Sequence, residues 1–202
     1  MNLALVNPRI AIVYASAFVG RGDLVVIGTF LSLWVVKIGT EHDLSTAAGL
    51  ARAAVLFGAA TLAGIFWAPI MGWIIDRVAR LTAFCIAYAL AALSYFLLSQ
   101  IGDPFSNLAI PAVILIGISE TSVIVANISF LGQEAPKEIR GAVIGVNNLV
   151  GSLGVIFAGY VGGQLFDLWM PTGPFAMMAI LNILLFLAAF MVRRRMPETN
   201  AV

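Results

Sequence analysis

Arg21, Asp23 and Glu120 are ionisable side chains set within long apolar runs, and Asn127 lies seven residues beyond Glu120. A charge near the centre of a lipid bilayer costs about 3 kcal/mol on insertion scales, so groups kept there are candidates for function. A carboxyl group balanced between burial and a neighbouring arginine can load and release a proton, and an arginine can hold an anion. Residues two apart point to nearly opposite sides of a helix, so Arg21 and Asp23 are not expected to pair with each other. Seven residues make about two turns, so Glu120 and Asn127 share a face, together with Gly117. Each residue also has a plainer reading. Glu120 can be a permanently protonated member of a hydrogen-bonded bundle, and Arg21 with some carboxylate can be a fixed lock. Asn147, Asn148 and Asn182 fit ordinary hydrogen bonding between helices.

The elements that carry these residues follow from composition. Of 202 residues, 61% are hydrophobic and 10% charged. Soluble domains carry about 25% charged residues, so this chain cannot cover itself with a polar surface and its solvent is a bilayer. The net charge of +1 gives no reason to expect a nucleic acid partner. Cys85 is a lone cysteine in an apolar run and His42 has no second ligand near it, so neither a disulfide nor a metal site is expected. No nucleotide-binding loop, H-E-x-x-H pair or G-x-S-x-G turn occurs, and no cofactor or enzymatic constellation is expected. Ala15-Ser16-Ala17 imitates a signal cleavage site, but the apolar stretch between Arg9 and that triplet is too short for one. The tripeptide Arg21-Gly22-Asp23 would be hidden inside a span, which removes an adhesion role.

The pattern predicts an all-α membrane protein: a single domain over 1–202 with six spans, at about 9–36, 49–75, 81–101, 108–132, 141–166 and 175–192. Asn7-Pro8 reads as a helix start. The first span, about 42 Å long, exceeds a bilayer core of about 30 Å and should tilt or protrude. The loop at 40–46 closes it. Pro69 should bend the second helix. The fifth is rich in glycine, with Gly141, Gly145, Gly151, Gly154, Gly159 and Gly163 expected to let neighbouring helices approach closely. Trp34, Trp67, Trp73 and Trp169 fall where interfacial anchors would. A short free tail should follow Arg195.

Six spans put both ends of the chain on one side of the membrane. Arg9, Arg77, Arg80, Lys137, Arg140, Arg193, Arg194 and Arg195 fall on that side, against Lys37 and Arg52 on the other. Positive residues stay cytoplasmic, so both termini are expected there, in the inner (plasma) membrane of the cell. The stretch GWIIDRVAR at 72–80 is then a cytoplasmic turn. Two arginines there would serve as a topology anchor. Gly72 would allow close helix contact, Asp76 could cap the following helix or hold a cation, and Arg77 and Arg80 would share one side of a helical start.

This turn resembles the cytoplasmic-loop motif of the major facilitator superfamily of transporters, roughly G-x-x-x-D-R-x-G-R. Gly72, Asp76, Arg77 and Arg80 match it, while Ala79 stands at the second glycine and Leu81 at a basic position. PKEIRGAVIGVNNLVGSLGVIFAGYVGGQLFD (136–167) is similar to the loop and eleventh helix of that family, and FAMMAILNILLFLAAFMVRRRMPET to its last helix and tail. The resemblance covers nearly the whole chain and maps onto the carboxy-terminal six-helix half of a twelve-helix fold. It implies transport of an unknown small solute by alternating access, with Arg21, Asp23, Glu120 and Asn127 around the central pathway and proton coupling at the carboxylates. It implies as partners the lipid bilayer and either a missing amino-terminal six-helix half or a second copy of the chain. The alternative is a truncated or isolated half that does not transport alone and acts as a membrane interaction module. On charge alone the solute stays open, since Arg21 favours an anion and Asp23 or Glu120 a cation.

Overall fold

A computed structural model describes residues 7–195, and all the regular structure among them is helical. Six long helices result: α1 (Pro8–Glu41), α2 (Thr46–Ile75), α3 (Arg80–Ser99), α4 (Ala109–Glu134), α5 (Arg140–Leu168) and α6 (Gly173–Arg195). All six are long and apolar enough to cross a membrane. The tail expected after Arg195 lies outside the described residues.

The ends follow from local chemistry. The Asn7 side chain accepts from the Arg9 amide at 3.0 Å, and Pro8 opens α1. Ser45 accepts from the Ala48 amide at 3.2 Å and so starts α2 three residues before the expected Gly49. α1 does not stop near Val36 but runs to Glu41, because its backbone bonds continue and Thr40 returns its hydroxyl to the Val36 carbonyl at 2.9 Å. The loop expected over 40–46 therefore shrinks to residues 42–45, where Asp43 takes a φ of 59° to reverse the chain. Gly49 makes this tight return possible: a Cβ there would stand 3.1 Å from the Val36 Cα. α2 continues through Pro69 to Ile75.

α1 spans 34 residues, about 51 Å at 1.5 Å per residue. It is not uniform. Val26–Phe30 forms a π-helical stretch, a wider turn that leaves backbone carbonyls less regularly bonded.

α3 is the most enclosed helix: 61% of its span is buried, against 22% in α2 and in α5, whose large apolar side chains face outward. α2 packs along α4, α5 along α1, and α3 against both α4 and α6. Where the first two pairs cross, the backbones touch. A Cβ on Gly117 would collide with the Ala60 carbonyl, and one on Gly154 with the Phe18 carbonyl. Trp34 and Trp67 are not interfacial anchors. Trp34 is wholly buried against Phe175, with ring centroids 5.8 Å apart, and Trp67 donates to the Ser122 hydroxyl at 2.8 Å. Trp73 and Trp169 are exposed at the ends of α2 and α5.

Candidate functional site

Two tyrosines on α3, Tyr88 and Tyr95, stand seven residues and so about two turns apart, and both are fully buried. Each bridges α1 to α4. The Tyr95 hydroxyl lies 3.1 Å from the Asp23 carbonyl on α1 and 2.9 Å from Glu120 Oε1 on α4. The Tyr88 hydroxyl lies 3.4 Å from the Ser16 carbonyl and accepts from Asn127 Nδ2 at 2.8 Å. Ser16 and Asp23 are also seven apart, as are Asn127 and Glu120. The result is a ladder of two polar rungs through the centre of an otherwise apolar bundle. Ser94 on α3 and Ser119 on α4 add a hydroxyl pair at 2.7 Å.

Asp23 is completely buried, and both of its carboxyl oxygens face Asn182 Nδ2 of α6, at 3.0 and 3.2 Å. The same amide donates to the Met178 carbonyl at 2.9 Å, so its position is fixed from two directions. Just beyond Asp23 begins the π-helical stretch, and the Val26 amide reaches both the Asp23 and Gly22 carbonyls. Glu120 is only partly covered. It borders a groove between α1, α2 and α4, together with Leu24, Phe57, Gly64 and Thr121. Gly117 lies at the α2 crossing, not with Glu120 and Asn127 against α3.

Arg21 points the other way from Asp23, as the two-residue spacing requires. It is exposed and has no hydrogen-bond or ion-pair partner among the described residues. It borders a cavity of about 290 Å³ between α1, α4 and α5, shared with Asn127 and Asn147. Gly151 leaves room for it: a Cβ there would stand 2.8 Å from the Arg21 Cγ. Of the other α5 glycines expected to pack, Gly154 meets Phe18. Gly141, Gly145, Gly159 and Gly163 meet nothing within 4 Å in this chain, because they lie on the side of α5 turned away from α1. Gly162 lies on the Phe30 ring, where a Cβ would stand 2.8 Å from Cε2.

The turn at 72–80 is built differently from expectation. α2 ends at Ile75 and α3 begins only at Arg80, after Ala79, so Asp76 is too far back to cap it. Arg77 precedes the helix and folds back, its guanidinium 3.8 Å above the Trp73 ring. Arg80 instead reaches the Ser129 carbonyl at 3.2 Å, so the two arginines do not share a side. Arg140 bonds the Gly132 carbonyl at 3.2 Å, and Arg9 pairs with Glu134 at 3.1 Å. Three cations thus converge on the carboxy-terminal end of α4, where the helix dipole and unbonded carbonyls favour positive charge. Gly72 meets no atom within 4 Å that a Cβ would touch.

Among the described residues no cluster of three metal-ligating side chains occurs. Sequence reasoning singled out Asp23, Glu120 and Asn127 because polar groups inside apolar runs are conspicuous. It missed Tyr88 and Tyr95, which join them. Their shared seven-residue spacing with Glu120 and Asn127 was the available signal.

The family model described as Major Facilitator Superfamily matches residues 2–159 and 106–202. Magnetosome protein MamZ of Paramagnetospirillum magneticum is 31% identical over 194 residues, covering 96% of this chain and 30% of that protein. MamZ of Magnetospirillum gryphiswaldense is 30% identical over the same share of each chain. Magnetosome protein MamH of Paramagnetospirillum magneticum is 29% identical, and 45% of it is covered. The chain therefore spans between 30% and 45% of the length of these curated relatives. The in meso crystal structure of the POT family transporter PepTSo shares the fold, with a TM-score of 0.80 at 15% identity over 96% of this chain and 39% of that one.

Proposed function

The chain belongs to the major facilitator superfamily, and from that premise we propose that it is the carboxy-terminal half of a secondary active transporter, moving a small solute across a membrane by proton-coupled alternating access. The observation that carries the reading is the Asp23–Tyr95–Glu120 rung. One phenolic hydroxyl has a single proton and two acceptors in reach, the Asp23 carbonyl and the Glu120 carboxylate. When Glu120 takes up a proton it no longer needs that donor, and the hydroxyl turns to the carbonyl at the edge of the π-helical stretch. Protonation at the groove is thereby passed to the least regular point of α1, the helix that would have to move.

In this reading Asp23 and Glu120 carry the coupling, Arg21 and Asn127 face the solute, and Gly72, Asp76, Arg77 and Arg80 form the gating turn. Both termini are cytoplasmic, in the inner membrane of the cell. Reconstituted vesicles, with a complementary six-helix half supplied, should show solute flux that follows an imposed pH gradient. Flux that stays coupled after Asp23→Asn and Glu120→Gln together would remove the carboxylates from the mechanism.

A second reading rests on the coverage of the relatives. A chain spanning 30% to 45% of MamZ and MamH is the size of one unit among several, which favours a membrane module that acts only beside another six-helix unit or a second copy. Their names also suggest association with magnetosomes in place of the plasma membrane. Fractionation of native cells, followed by detection of the chain in each membrane, separates the two locations.

A further inference from the structure

Asp23 is wholly buried, and no cation among the described residues lies within salt-bridge reach of it. Arg21, two residues before it, is exposed on another side of α1. The elements packed around Asp23 bring no positive charge either. α3 offers the phenols of Tyr88 and Tyr95, and α4 offers Glu120, whose carboxylate would repel a second one. The charged groups of α5 and α6 stand at helix ends: Arg140 and Asp167 on one, Arg193, Arg194 and Arg195 on the other. The hydrogen bonds that the Asp23 carboxyl oxygens accept come from one neutral amide, Asn182 Nδ2, at 3.0 and 3.2 Å. A full charge so placed is costly, because it is neither solvated nor paired.

The other half of that amide has the opposite deficit. Asn182 is wholly buried, and its Oδ1 accepts no hydrogen bond. A carboxyl group without a counter-charge and an acceptor without a donor therefore belong to one side-chain pair. A single hydrogen answers both, and a hydrogen needs no cavity.

We infer that Asp23 is a standing neutral acid, its O–H donating to Asn182 Oδ1 while Asn182 Nδ2 donates to its second oxygen. This cyclic acid–amide pair joins α1 to α6 just before the π-helical stretch. A small in-plane shift of the amide from its place over both oxygens closes the ring. The remaining N–H stays on the Met178 carbonyl at 2.9 Å. Asn182 is thus a positioning residue that keeps the proton on Asp23. The inference rests on the transport reading above and divides the coupling role given there to two carboxyl groups. Glu120 accepts from Tyr95 at one oxygen only and borders the groove beside α2, so it is the group that loads and releases. Asp23 holds its proton throughout.

Infrared difference spectroscopy on the full chain in nanodiscs tests this, because a protonated carboxyl group has a carbonyl stretch distinct from that of a carboxylate. The wild type should show such a band at mildly acidic and at mildly basic pH alike, and Asp23→Asn should remove it. Any acid band that comes and goes with pH should vanish in Glu120→Gln. Asn182→Leu should keep the Asp23 band but raise its frequency, since both hydrogen bonds to the acid are gone; a packing role alone would leave the frequency unmoved. Should the leucine variant fail to fold, the Asp23→Asn comparison still decides. No acid band lost in Asp23→Asn, an Asp23 band that disappears at mildly basic pH, or an unshifted band in folded Asn182→Leu would overturn the assignment. Failure of the transport reading looks different: the Asp23 band behaves as stated, but no solute crosses vesicles containing the complemented assembly.

Discussion

At the scale of single residues, the bundle rests its polar interior on a few side chains that each serve two helices. Asn182 is the plainest case, holding Asp23 to α6 through one amide that is itself fixed on the Met178 carbonyl. Asn182→Ala leaves a fully buried carboxyl group with neither of its bonds, and should cost about 1–3 kcal/mol of stability, measured by unfolding in mixed micelles. An unchanged midpoint would mean that Asp23 finds another donor. Tyr95→Phe makes a sharper distinction. It keeps the ring packed and removes only the hydroxyl between Glu120 and the Asp23 carbonyl, so flux driven by a pH gradient should fall at least tenfold while solute exchange without a gradient persists. Equal loss of both would make Tyr95 a structural residue. The acidic members of this site were legible in the sequence because a carboxyl group in an apolar run has no innocuous explanation. The tyrosines were not, since tyrosine in a span is ordinary, and only the matching two-turn intervals on α1, α3 and α4 mark them out.

At the scale of elements, α5 lies on α1 as α2 lies on α4, and each crossing has one glycine at backbone contact. This correspondence between the first three helices and the last three is what an inverted repeat within a six-helix half produces. Gly154→Val and Gly117→Val must push helices apart, and each should destabilise the bundle by about 1–3 kcal/mol or more. Gly159→Val, one turn or so along α5 from Gly154, meets nothing within this chain and should leave its stability unchanged. Comparable losses in all three variants would contradict the crossing geometry. The six helices were readable from hydropathy, and some of their ends from Asn7 and the charged turns, whereas the Ser45 cap that starts α2 lay inside an expected loop. The sequence could not say which α5 glycines meet a neighbour, because glycine spacing fixes a stripe on the helix and only the packing decides which stripe turns inward. The π-helical stretch at Val26–Phe30 was equally hidden, since Val, Ile and Phe suit a regular helix in lipid as well as a widened one. The reach of α1 to Glu41 is hidden for a related reason: polar residues suit a loop, but Thr40 can return its hydroxyl to the helix.

At the scale of the whole molecule, two features set how the chain sits and what it sits beside. The outward faces of α2 and α5 are mostly apolar, and α5 carries the unfilled glycines Gly141, Gly145, Gly159 and Gly163. A cysteine at Gly159 should therefore crosslink in native membranes to a complementary unit or a second copy, whereas one at Leu97 on α3 should not. The cationic ends of the bundle predict its orientation. Arg80, Arg140 and Arg9 converge on the end of α4, and Arg77 stacks on Trp73, so these cations are structural as well as topological. Asp76 is exposed at the same end, in the turn between α2 and α3. Because Cys85 is buried, an Asp76→Cys variant reports on one position above a silent background. An impermeant maleimide should label it only after the cytoplasmic face is opened. Labelling from outside intact cells would reverse the bundle, placing the positive cluster against the rule that keeps Lys and Arg loops in the cytosol. It would also put Gly72, Arg77 and Arg80 on the outer face, so the orientation and the proposed gating turn stand or fall in one measurement.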